Sequence, residues 1–87
     1  MTLEYDEIRI TTRREINVCE VAIRDLEKVI GSMEEKYKKT SADFLREFEP
    51  SAGPSEGELT RWHDSCRALE RWKERLSDHR QIMKMYT

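Results

Sequence analysis

Residues 16–37 read INVCEVAIRDLEKVIGSMEEKY, and the spacing inside this stretch decides the fold. Apolar side chains stand at Ile16, Cys19, Ile23, Leu26, Ile30, Met33 and Tyr37, in alternating steps of three and four. Such steps bring every one of these residues to the same side of an α-helix, a heptad seam sustained over about three heptads. Val18, Val21, Ala22 and Val29 widen the stripe beyond one seam, so the helix is expected to meet more than one neighbour. Gly31 falls inside the run, where it costs about 1 kcal/mol relative to Ala; close approach of another backbone is one reading of its presence.

Upstream, Thr12 with Glu15 has the spacing of a capping box. Tyr5, Ile8 and Thr12 nevertheless continue the helical seam, and no Gly or Pro intervenes. The β-branched run Ile8-Arg9-Ile10-Thr11-Thr12 could be extended, but no second strand candidate exists for it to pair with. The first helix is therefore predicted from about residue 3 to about 38, ending where Lys36, Lys38 and Lys39 suit the negative end of the helix dipole. Thr40 with Asp43 signals a new start, and Phe44, Leu45 and Phe48 give one apolar side to a short helix over about 41–49. Pro50-Ser51-Ala52-Gly53-Pro54 breaks the chain, predicting a loop over about 50–55. Ser55 with Glu58 then offers a third capping box for a helix over about 56–84. Its apolar face runs through Leu59, Trp62, Cys66, Leu69, Trp72, Leu76, His79 or Ile82, and Met83. With Lys73 on the strict heptad position, this seam is looser than the first.

The expected fold is all-α: one domain over residues 1–87, an antiparallel hairpin of two long helices with a short elbow helix between them. A hairpin this small has one interface and an uncovered flank. The sequence thus predicts a partner, either a second copy closing a four-helix bundle as a homodimer or a different protein.

Composition narrows the function. The chain has 87 residues, 39% of them charged and 37% hydrophobic, with only three Gly and two Pro, which suits long exposed helices and not a many-stranded β fold. Sixteen basic against eighteen acidic residues give a net charge of −2, which disfavours general nucleic-acid or anionic-membrane binding. The stretch from Glu58 on is mildly basic, but no helix-turn-helix pattern accompanies it. Apolar runs reach about three residues, far short of a membrane span. The acidic start Met1-Thr2-Leu3-Glu4-Tyr5-Asp6-Glu7 is not that of a signal peptide, so a cytoplasmic location is expected.

Catalytic and metal chemistry find little support. Cys19 and Cys66 lie on apolar seams, where a free cysteine is most often a small buried hydrophobe. His63-x-x-Cys66 supplies two ligand types one turn apart, too few for a tetrahedral site, and His79 lies far along the same helix. Ser65 beside His63-Asp64 has no oxyanion-hole loop, and the glycines match no phosphate loop. The expectation is a non-enzyme with no cofactor and no metal. Glu70, Glu74 and Asp78 form one i, i+4 row, and Arg67, Arg71 and Arg75 another, as solvated faces that can set a partner's orientation. Trp62 and Trp72 are either core or interface anchors, and Tyr37, Phe44 and Phe48 are expected to pack near Leu59 and Trp62 at the closed end of the hairpin. The expected partner-binding residues are Tyr37, Phe44, Phe48, Trp62, Arg67, Arg71, Trp72 and Arg75.

Glu34-Glu35-Lys36-Tyr37, Thr40-Ser41-x-Asp43-Phe44, the Gly/Pro loop, Trp62, Leu69 and the charged last helix together resemble a recurrent prokaryotic pattern. The pattern is that of small helical antitoxin-like proteins of the TumA-like kind, which pair with toxins of the TumE type. The similar part spans about residues 26–82. Lys38 replaces the Gly usual after Lys-Tyr, the loop is richer in Pro, and the first twenty-five residues lengthen the leading helix. The resemblance implies neutralisation of a toxin by binding, with Tyr37, Phe44 and Trp62 carried over as architecture first and contacts second. A structural homo-oligomerising adaptor is the competing expectation.

Overall fold

The computed structural model describes residues 3–48 and 57–86. These form three helices: α1 (Leu3–Tyr37), α2 (Ser41–Glu47) and α3 (Glu58–Met85), with no strand among the described residues. The two long helices pack on each other, and α2 bridges them at one end. The molecule measures 54 × 24 × 19 Å, with a radius of gyration of 17.2 Å. A compact globule of this length would have about 12 Å. The hairpin is thus a rod with one long interface.

Helix α1 runs unbroken through the Thr12–Glu15 box, so Thr12 is no cap; it sits buried on the seam. Ile16, Ile23, Leu26 and Met33 are half-buried on that side, and Cys19 and Ile30 are buried outright. Val18, Val21 and Val29 stay exposed. Gly31 answers to no close backbone among the described residues: a side-chain Cβ there would meet nothing within 4 Å.

The end of α1 follows from a left-handed residue. Lys38 has φ 53°, and the N–H of Lys39 donates back to the carbonyl of Glu34 at 3.2 Å. This is the six-to-one bond of a Schellman ending, with Lys38 in the place that usually holds Gly. Lys38 takes the left-handed conformation at the steric cost of a Cβ there. Helix α2 begins as expected: the Thr40 hydroxyl accepts from the Asp43 N–H at 3.2 Å, while the Asp43 carboxylate pairs with Arg46. It ends at Glu47, with Phe48 already extended, slightly earlier than the spacing suggested.

The third start differs from expectation. Helix α3 begins at Glu58, with Gly57 as an extended N-cap that makes no side-chain bond. Glu58 is the first residue of the helix, too early to close a capping box, and its carboxylate turns instead to α1. The expected loop over about 50–55, and Ser55 with it, lies outside the described residues.

Candidate functional site

The elbow concentrates the molecule's specific contacts. Trp62, on the first turns of α3, is only 1% exposed and lies flat on Phe44 of α2, ring centroids 3.9 Å apart and planes within 1°. Tyr37 stacks at 5.7 Å from Trp62, and Phe48 at 5.1 Å from Phe44. Buried Ile30 and Cys66 continue this core, with Met33, Leu45 and Leu69 packed against it. Burial of an indole requires a partner for its N–H. The Trp62 Nε1–H donates to the Ser41 Oγ at 2.8 Å, and the Ser41 backbone N–H donates to the Glu34 carboxylate at 2.8 Å. Glu34 thereby joins all three helices: its carbonyl closes α1, its side chain receives the first N–H of α2, and that residue's hydroxyl fixes Trp62.

A second polar clamp lies on the rim. Lys36 Nζ donates to both oxygens of Glu58, at 2.7 and 2.9 Å, and the Tyr37 hydroxyl donates to the same carboxylate. Hydrogen bonds from Lys36 and then Tyr37 hold the Glu58 carboxyl below its ordinary value of 4.5. The same contact raises Lys36 and Tyr37 above theirs. Burial pushes the Cys66 thiol up, opposed by the Ser41 hydroxyl and reinforced by Glu34 and Glu70.

Between these layers opens a cleft of about 290 Å³, lined by Tyr37, Lys39, Phe44, Glu47, Phe48, Leu59 and Trp62. Its floor is aromatic. Tyr37 and Leu59 stand on its rim, 39% and 40% exposed, and Lys39 pairs with Glu47 across its edge. Such a cleft can take up one or two apolar side chains of another protein, framed by charges of both signs.

Of the expected contact residues, the structure brings Tyr37, Phe44, Phe48 and Trp62 together here, with Phe44 and Trp62 inside the chain's own core. The Trp62 question is thus answered in favour of core. Trp72 lies ten residues further on, about 15 Å along α3. It is half-buried, with the Arg75 guanidinium over its ring at 5.1 Å. Arg67, Arg71 and Arg75 are exposed along α3 and do not converge on the cleft. Glu34, Ser41 and Glu58 are not among the expected contact residues, because their bonds join separate helices and local spacing does not show such contacts. His63 lies against Phe48, with Nδ1 3.3 Å from Asp64. Among the described residues no group of three or more His, Cys, Asp and Glu is placed to hold a metal ion, and no helix is long and apolar enough to cross a membrane.

Comparison with protein-family models, curated proteins and solved structures finds no match to this chain.

Proposed function

We propose that the chain is a non-catalytic protein-interaction module of the antitoxin-like kind, which neutralises a partner by binding it. The observation that carries the reading is the one-sided hairpin. The helices bury a single seam, while Val18, Val21, Val29, Tyr37 and Leu59 remain exposed on a rod whose interior is too small to enclose them. Apolar surface of this kind is stabilised by another protein. The elbow cleft is the docking point for that partner, with Tyr37, Phe48 and Leu59 as contacts and Phe44 and Trp62 as the rigid base beneath them. Trp72 with Arg67, Arg71 and Arg75 sets the partner's orientation along α3. The choice of a toxin as the partner rests on the Lys-Tyr to Trp62 pattern, and the cleft supports it only as a protein-binding feature.

The test is growth of cells expressing the adjacent open reading frame, with and without this chain. Arrest that the chain relieves, and that Leu59→Asp with Tyr37→Ala no longer relieves, is the expected outcome. Absence of arrest, or arrest the chain leaves untouched, would favour the homo-oligomerising adaptor, a reading to which the exposed valines of α1 also lend themselves.

A further inference from the structure

Four of the exposed apolar residues of α1 lie on one stripe, apart from Ile8 and Tyr37 on the side of the seam. Ile10, Val18, Val21 and Val29 are 55%, 50%, 51% and 42% exposed. With Arg14 and Asp25 they form the series 10, 14, 18, 21, 25, 29, in steps of four, four, three, four and four. At 100° per residue, all six fall within an arc of about 100°. The seam facing α3 is centred roughly 140° away around the same helix, so α3 does not cover this stripe. The steps read the same in both directions. Every residue has a counterpart equidistant from a point between Cys19 and Glu20: Ile10 with Val29, Arg14 with Asp25, Val18 with Val21.

From this symmetry we infer that the stripe is the contact surface for a second copy of the chain, α1 against α1, antiparallel about a twofold axis through that midpoint. Isologous contacts require a surface complementary to itself, and this one is. Antiparallel packing sets valine on valine at the centre, isoleucine on valine at the ends, and the Arg14 guanidinium opposite the partner's Asp25 on both sides of the axis. Parallel packing would instead set Arg14 on Arg14 and Asp25 on Asp25. Both charged residues are exposed, and neither makes an ion pair within the chain among the described residues. The step pattern is an eleven-residue repeat, nearly in phase with an α-helix, so the two helices can stay in contact without strong supercoiling. The α1 pair lies in the middle and each α3 outside, leaving the elbow clefts at opposite ends of the dimer. A stripe about 28 Å long and one helix wide falls short of the roughly 800 Å² per partner of a standard interface. The contact is accordingly that of a reversible dimer.

This inference deepens the binding-module reading by naming the occupant of one face. It is tested on the full chain by sedimentation equilibrium across the micromolar range. The wild type is expected to pass from monomer to dimer. R14D and D25R each set like charges against each other twice and should weaken the dimer about tenfold or more. The double variant R14D/D25R restores both pairs and should recover wild-type association. An equimolar mixture of the two single variants should also dimerise. Because positions 14 and 25 are exposed, helical circular dichroism should be unchanged in all of them. A wild type that stays monomeric, single variants that dimerise as well as wild type, or a double variant as weak as the singles would each overturn the inference. A monomeric chain that still relieves growth arrest would remove the dimer while leaving the binding reading in place.

Discussion

The two halves of the hairpin are built on different principles. At the elbow, three helix ends meet, and the contacts are specific: a stacked Phe44–Trp62 pair, an indole fixed by Ser41, and a carboxylate held by Lys36 and Tyr37. In the half away from the elbow, the buried residues among those described are Cys19 and Thr12, Leu76 and Met83 are half-buried, and Ile8 and Ile82 stay exposed. Packing of two helices along one line covers one side of each, whereas a third element crossing both ends closes a small core on several sides. The elbow therefore carries most of the specific contacts of the fold, and in the open half more of the apolar surface stays uncovered, as at Ile10, Val18, Val21 and Met85.

Substitutions in the two halves should separate them. Trp62→Ala is expected to cost about 3–5 kcal/mol, comparable with the whole stability of a chain this size. Leu76→Ala, at a half-buried position in the open half, should cost about 1–2 kcal/mol. Urea unfolding followed by circular dichroism measures both, and equal losses would erase the distinction between the halves. Ser41→Ala leaves the Trp62 Nε1–H buried without its acceptor, and a loss of about 1–3 kcal/mol is expected. If that variant proves neutral, the elbow is held by stacking and burial without help from the polar network.

Smaller effects sharpen the picture of the elbow. Lys38→Gly relieves the left-handed strain at the end of α1 and should raise stability by about 1 kcal/mol, read as an increase in melting temperature. A loss there would mean that the Lys38 side chain contributes more than its backbone conformation costs. Glu58 supplies the pH dependence. Its carboxyl is held below 4.5 in the folded chain, so its contribution is present above that value and fades as acidification protonates it. Because the group is solvent-accessible, the effect is small. A pH series on Glu58→Gln should be flatter than wild type below about pH 5 and parallel to it at neutral pH.

Much of the architecture was legible in the heptad steps. The seam from Ile16 to Tyr37 and the Thr40 cap both appear where spacing put them, because helical periodicity and N-capping are short-range properties. The cap of α3 was not legible, although its start was close to the expected position. Ser55 and Glu58 have capping-box spacing, yet Glu58 opens the helix and bonds across to Lys36 and Tyr37, a contact that depends on the hairpin having closed. Gly31 likewise suggested a close approach that none of the described residues makes.

The sequence by itself determined that the chain forms two long helices and a short one, since local propensity, caps and periodicity act within a few residues. It also placed the elbow aromatics on faces where they could meet. Tertiary structure alone decided which tryptophan became core, which apolar flank of α1 stayed open, and that Glu34, Ser41 and Glu58 would fasten the three helices. Those outcomes depend on which surfaces three rigid helices can bring into contact at once, and a periodic pattern along one helix does not contain that information.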